Sequence, residues 1–165
     1  MIKELKTLHS MEPACQQRSD SDHLRFVICR RRGESKFDFT IELDGIRAWV
    51  VPNVPSMNPL DYRHAAEDKL EIANVTEMTS EKLGKDMLSA WDRGNYIPID
   101  DDGYILNEDE ALKCLHHGAL KFFLQGKKLV GEFVLLRKEE NEWLLMKRHD
   151  EFALYNEYSH ELFGE

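Results

Sequence analysis

Hydrophobic and polar residues alternate strictly from position 36 to position 43. A period of two residues is typical of a β-strand with one buried face. Asp44 and Gly45 follow, a pair that readily adopts the positive φ angles of a type I′ turn, and Ile46 to Val51 returns as a second strand. The pattern predicts a hairpin whose first strand carries four polar side chains on one face, namely Lys36, Asp38, Thr40 and Glu42.

The other apolar segments also predict mostly short strands. Strands are expected at Leu24–Cys29, Leu70–Val75, Met87–Trp91, Tyr96–Ile99, Leu120–Leu124, Leu129–Arg137 and Trp143–Lys147. Asp92, Arg93 and Gly94 look like a turn that closes the third of these. Many short strands with few helices predict a mainly β fold, a small antiparallel β-barrel with one or two flanking helices.

Helices are predicted at three places. The clearest is Asn107 to His117, because Asn107 can cap it, Glu110 completes a capping box and Gly118 ends it. We expect a short N-terminal helix and linker in 1–22, the barrel domain in 23–153, and a helical tail in 154–165.

Composition and charge narrow the range of possible functions. The 165 residues are 42% hydrophobic and carry a formal net charge of −9, which argues against sequence-independent coating of DNA by a basic surface. Positive charge is nevertheless clustered at Arg30, Arg31, Arg32 and Lys36. No apolar run approaches the roughly 20 residues of a membrane span or forms a signal peptide, so we expect a cytoplasmic protein with no membrane partner.

The three cysteines are scattered and contain no CxxC pair, which argues against a disulfide framework or a zinc site. Cys29 lies in a short apolar strand. A buried thiol is therefore the favoured interpretation over a nucleophile, since reactive cysteines need an open, electropositive site.

Several segments, in order and with similar gaps, resemble the 3′-phosphoesterase domain of the bacterial DNA ligase D family. They are Phe39–Gly45, Trp49–Ser56, Trp91–Gly94, Leu120–Leu135 and Trp143–Lys147. The resemblance implies a compact β-barrel that uses a divalent metal, usually manganese, to trim damaged or ribonucleotide-bearing 3′ ends in DNA repair.

The resemblance also assigns roles to individual positions. Asp38 matches the family's metal-binding aspartate, whereas Lys36 stands where a ligand histidine is expected. Thr40 replaces an arginine that contacts phosphate. The remaining histidine positions fall on Arg30 or Arg31 and near Lys69. Loss of these ligands implies that Lys36 pairs with Asp38 in place of the ion, and that no cofactor is needed.

Three functions follow from these substitutions. The favoured one is a pseudoenzyme that binds phosphate-bearing DNA or RNA 3′ ends, or a DNA repair protein, through Arg30, Arg31, Lys36 and Lys69. The second is an active manganese-dependent 3′-phosphoesterase or 3′-ribonuclease whose site is rebuilt around Asp38 with His64 or another distant histidine. The third is a structural subunit that only contacts other proteins.

Overall fold

Eight antiparallel strands form a closed barrel in a computed structural model that describes residues 24–31, 33, 35–68 and 87–155. For residues 87–89 only the backbone is described. Four parts of the sequence for which predictions were made also lie outside the described residues. They are the N-terminal helix and linker, the strand at 70–75, Lys69 and the tail beyond residue 155.

The strands are β1 (Leu24–Arg31), β2 (Lys36–Glu42), β3 (Ile46–Pro52), β4 (Arg63–Asp68), β5 (Met87–Ile99), β6 (Ala119–Gln125), β7 (Val130–Glu139) and β8 (Glu142–Lys147). Their order around the barrel is β1-β2-β3-β4-β8-β7-β6-β5. One helix, α1 (Glu108–His116), joins β5 to β6. The predicted mainly β barrel with a flanking helix is confirmed.

A column of aromatic rings fills the barrel. Phe39 stacks on Phe122 with ring centroids 5.8 Å apart, and Phe122 stacks on Phe133 at 6.4 Å. All three are at most 1% exposed. Interior filling of this kind is typical of eight-stranded barrels, whose diameter is just wide enough for side chains.

The β2–β3 hairpin differs from the prediction by one residue. Asp44 and Gly45 have the expected positive φ values, 52° and 98°. However, Glu42 pairs with Ile46, so three residues form the connection instead of the two in a type I′ turn.

The predicted turn at Asp92-Arg93-Gly94 is wrong, because β5 runs continuously through it. The Asp92 carboxylate accepts backbone N–H bonds from Lys127, Lys128 and Leu129 at 2.8, 3.2 and 2.8 Å. Gly94 lies against the carbonyl of Gln125, where an added Cβ would come within 2.2 Å of the oxygen. This motif therefore fastens the β6–β7 connection onto the barrel wall.

Helix α1 begins as predicted. The Asn107 side chain accepts the Glu110 N–H at 2.8 Å, and the Glu110 carboxylate accepts the Asn107 N–H at 2.9 Å. Gly118 follows the helix with a φ of 92°. In the described part of the chain, no helix is both long and apolar enough to cross a bilayer.

Candidate functional site

The polar row of β2 points away from the barrel core. Phe37, Phe39 and Ile41 belong to the core cluster, so strand alternation turns Asp38 and Thr40 to the other side of the wall. Both are nevertheless 0% exposed. The register places Asp38 between Cys29 on β1 and Val50 on β3. A carboxylate buried there requires a partner, because desolvating an unpaired charge is costly.

Arg31 on β1 supplies that partner. Its Nε donates to Oδ2 of Asp38 at 2.9 Å, and its Nη2 donates to Oδ1 at 3.0 Å. One guanidinium thus engages both carboxylate oxygens in the two-pronged geometry that makes arginine–carboxylate pairs strong and directional. The sequence assigned this pairing to Lys36, whereas the ion pair that the structure describes for Asp38 is made by Arg31.

A second carboxylate approaches the same guanidinium. Oδ2 of Asp68, the last residue of β4, lies 3.5 Å from Nη2 of Arg31. The Arg31 side chain is 25% exposed and that of Asp68 is 34% exposed, so this contact is at the solvent boundary. Sequence reasoning did not single out Asp68, because the segment around it had no clear strand period.

Cys29 lies directly opposite Asp38 and is fully buried, as predicted. Burial raises the pKa of its thiol to about 11, with a further rise from the negative charge of Asp38 and an opposing effect of Arg93. A thiol with that pKa is protonated at neutral pH and is a poor nucleophile. The structure therefore favours the buried-thiol interpretation.

Thr40 is the unusual member of the polar row. Its Oγ1 is buried and has no hydrogen-bond partner among the described residues. Buried hydroxyls are nearly always bonded, and an unsatisfied one costs about 1–3 kcal/mol. The site thus contains a polar atom that no described residue satisfies.

The basic residues that the sequence proposed for phosphate binding lie on both sides of the barrel wall. Alternation along β1 puts Arg31 on the same side as Cys29, whereas Arg30, which pairs with Phe37, turns to the opposite side. Lys36 begins β2 as an exposed residue on the Asp38 side. Arg93, which the sequence treated only as part of a turn, is exposed opposite Val27 on β1. Lys69 lies outside the described residues.

The described residues around Asp38 do not fit a divalent metal. Such ions are usually held by three or more oxygen, nitrogen or sulfur ligands. Across the described ranges, no group of three histidine, cysteine, aspartate or glutamate side chains is arranged to hold one. Both oxygens of Asp38 are already bonded to Arg31.

The histidines of the described chain have other neighbours. His64, which the rebuilt-site hypothesis used, is exposed on β4 with its ring 5.7 Å from that of Tyr62. His117 Nδ1 lies 2.8 Å from the carbonyl oxygen of Lys113 at the end of α1, as expected for a helix-terminal residue. His149 stacks on Tyr155 at 5.7 Å.

Comparison with known proteins identifies relatives of the chain. Residues 30–137 match the model of the DNA ligase D 3′-phosphoesterase domain. The chain is also 31% identical over 144 residues to the multifunctional non-homologous end joining protein LigD of Pseudomonas aeruginosa. That alignment covers 81% of the chain but only 16% of the relative, so the chain corresponds to a small part of LigD. With this match spanning most of the barrel, the chain belongs to the DNA ligase D 3′-phosphoesterase domain family.

Proposed function

We propose that this protein is a member of the family that binds phosphate-bearing nucleic-acid 3′ ends without hydrolysing them. The observation that carries the proposal is the bidentate pair between Arg31 and Asp38. In it, the positive charge that a metal would bring to this aspartate comes from a side chain of the protein.

Electrostatics favour the guanidinium of Arg31 over a metal ion as the partner of Asp38. A guanidinium keeps its charge at any ordinary pH and matches the two oxygens of a carboxylate. A metal ion competing for Asp38 must first break two charge-assisted hydrogen bonds and then bind beside the positive charge of Arg31. Because Asp38 is fully buried, that repulsion is only weakly screened by salt. Metal-dependent hydrolysis is therefore disfavoured at this site.

The same face retains cations that can receive a phosphate. Lys36 and Arg93 are exposed there, and Arg31 reaches the solvent boundary beside Asp68. Lysine and arginine side chains bind terminal phosphates through charge-assisted bonds. The net charge of −9 opposes contact with the rest of a duplex, which favours recognition of an end over recognition of a long backbone tract. The name of the relative, a non-homologous end joining protein, is consistent with a DNA repair context.

The test is fluorescence anisotropy with a labelled primer-template duplex that ends in a 3′-phosphate, compared with the same duplex ending in a 3′-hydroxyl. We expect tighter binding of the phosphate-ended duplex in EDTA, with no gain on adding manganese. Lys36→Gln should weaken binding of the phosphate-ended duplex about fivefold, near 1 kcal/mol. The matched control is Lys138→Gln, because Lys138 is an exposed lysine on β7.

Three results contradict the proposal in different ways. Manganese-dependent release of phosphate from the duplex indicates the active enzyme with a rebuilt site. Equal and weak binding of both duplexes indicates the structural subunit, and capture of a DNA repair protein by the same face then becomes the next experiment. If Lys138→Gln weakens binding as much as Lys36→Gln, the cationic face around Asp38 is not the binding surface.

A further inference from the structure

Two exposed aromatic rings lie next to each other on the surface of β4 and the loop before it. Tyr62 is 51% exposed, and its ring lies 5.7 Å from that of His64, which is also exposed, with the two planes at 75°. In this edge-to-face arrangement one ring covers at most one face of the other. Leu60, two residues earlier, is 73% exposed. Clustered exposed apolar groups typically mark a binding surface, whereas single ones do not.

Strand register places the ring pair on the side of the barrel wall that carries Asp38. Alternation along β4 turns His64 and Ala66 away from the core. Asp38 and Ala66 are both cross-strand partners of Val50, so the three form one row across β2, β3 and β4. His64 lies two residues before Ala66, just as Lys36 lies two residues before Asp38. Lys36 and His64 therefore flank β3 in the neighbouring row.

The spacing of that row suits a nucleic-acid strand. Neighbouring strands are about 4.8 Å apart, so Lys36 and His64, which are two strand spacings apart, are separated by about 10 Å. Between them lies Pro52, the partner of Lys36, which is exposed and carries no charge. Stacked nucleotides rise about 3.4 Å each along a strand. A strand whose terminal phosphate lies at Lys36 can thus bring one of its last few bases over the rings.

The backbone that carries the rings is held by hydrogen bonds. The Arg63 guanidinium donates to the Val54 carbonyl at 2.8 Å and to the Asp61 carboxylate at 2.5 Å. The Asp61 N–H donates to the Asn58 carbonyl at 2.9 Å, and the Asn58 side chain accepts the Leu60 N–H at 2.9 Å. A surface fixed in this way loses little conformational freedom when a ligand binds, which favours affinity.

We propose that Tyr62 and His64 form a platform on which unpaired bases near a 3′ end stack while the end phosphate lies at Lys36. This inference rests on the end binding proposed above, and it specifies the ligand as an end whose last nucleotides are unpaired. Every base has a π-face, so stacking on aromatic side chains gives affinity with little preference for sequence. Bases within a duplex already stack on one another and are less available to the rings.

Fluorescence anisotropy with two duplexes tests the proposal. Both end in a 3′-phosphate, and the last three nucleotides are paired in one and mismatched in the other. We expect the mismatched end to bind at least fivefold more tightly. Tyr62→Ala should weaken its binding about tenfold, as typical for loss of one stacked base, whereas Tyr62→Phe should retain it. The matched control is Tyr104→Ala, because Tyr104, between β5 and α1, is 53% exposed.

His64 separates stacking from the other role that the sequence allowed it, in a rebuilt metal site. Phenylalanine keeps an aromatic face but has no nitrogen to bind a metal or accept a proton. His64→Phe should therefore bind the mismatched end as the unchanged protein does, in EDTA and in manganese alike. His64→Ala should weaken binding about threefold in both. Loss of binding in His64→Phe as large as in His64→Ala contradicts stacking.

Abasic nucleotides identify the base that stacks. Each of the last three bases of the mismatched end is removed in turn, and we expect one removal to weaken binding about tenfold. In Tyr62→Ala the same removal should cost less than twofold, because the missing base has already lost its ring. Such non-additivity is the signature of a direct contact. A merely supporting role of Tyr62 in its loop would give additive losses.

The proposal is overturned by equal binding of paired and mismatched ends, by additive losses with every abasic strand, or by a Tyr104→Ala effect as large as that of Tyr62→Ala. Failure of the end-binding function gives a different pattern, since the protein then does not distinguish 3′-phosphate from 3′-hydroxyl ends. In our account Tyr62→Ala leaves the ratio of those two affinities unchanged, because the phosphate lies at Lys36.

Discussion

Asp38 and Asp92 are two buried aspartates on neighbouring parts of the same barrel, yet their charges are stabilised differently. Asp92 is 4% exposed and accepts three backbone N–H bonds from residues 127–129. Asp38 is 0% exposed, and the partner described for it is one arginine side chain. Backbone donors are present whatever the sequence, whereas a side-chain partner is a single replaceable residue. Asp92 therefore has a structural role, whereas Asp38 is the position at which replacing one partner residue can change the function.

The largest effect is expected at Asp92. Asp92→Ala leaves the N–H groups of Lys127, Lys128 and Leu129 without their carboxylate, and each such bond contributes about 1.5–3 kcal/mol. We expect the free energy of unfolding to fall by about 5 kcal/mol in urea denaturation. Asp102→Ala, in an exposed turn, is the control and should change it by less than about 0.5 kcal/mol. A loss below about 1 kcal/mol at Asp92 contradicts its architectural role.

Arg31→Met should have the next largest effect. It leaves the buried Asp38 without its cation, and breaking a buried pair from one side typically costs about 3–5 kcal/mol. We therefore expect a loss of about 4 kcal/mol in the same denaturation experiment.

The double variant Arg31→Met with Asp38→Leu shows whether the stability lost in Arg31→Met comes from the unpaired charge of Asp38 or from lost packing of Arg31. Replacing both partners with apolar residues removes the unpaired charge, so stability should return to within about 1 kcal/mol of the starting protein. If the double variant is as unstable as Arg31→Met alone, the arginine does not act through Asp38.

A smaller effect is expected from Cys29, whose pKa is raised mainly by burial and further by the negative charge of Asp38. Its raised pKa, about 11 against an ordinary value of 9.0, means that the folded state holds the thiol proton more tightly than the unfolded chain. This contribution to stability is present in full below pH 9 and is lost as the pH rises to about 11. Two pKa units correspond to about 2.7 kcal/mol.

The measurement is the difference in unfolding free energy between the protein and Cys29→Ala as the pH rises from 8 to 11. We expect the difference to shrink with rising pH, because the variant has no thiol to ionise. Asp38→Asn should weaken the effect by removing a charge that raises the Cys29 pKa, whereas Asp102→Ala should not. A difference that is constant across this range contradicts the burial of the Cys29 thiol, and an effect that is unchanged in Asp38→Asn contradicts the placement of Cys29 beside a charged Asp38.

The barrel was largely predictable, since alternation and turn residues identify β2, β3 and the β6–β8 meander. The continuous β5 was missed because Asp92-Arg93-Gly94 has the composition of a turn, while the donors that keep it extended are more than 30 residues away. Arg31 was missed as the partner of Asp38 for a similar reason. Lys36 is nearer in sequence on the same strand, but the choice depends on the β1–β2 register and on the bidentate fit of a guanidinium.

The most direct test of the central claim, that Arg31 has taken the place of a metal at Asp38, is a manganese titration by calorimetry. It uses the purified protein and Asp38→Ala, each with the 3′-phosphate duplex present, and phosphate release is measured in the same samples. The account predicts no saturable manganese binding that depends on Asp38 and no phosphate release. Saturable binding together with phosphate release, both lost in Asp38→Ala, would contradict it and identify an active metalloenzyme.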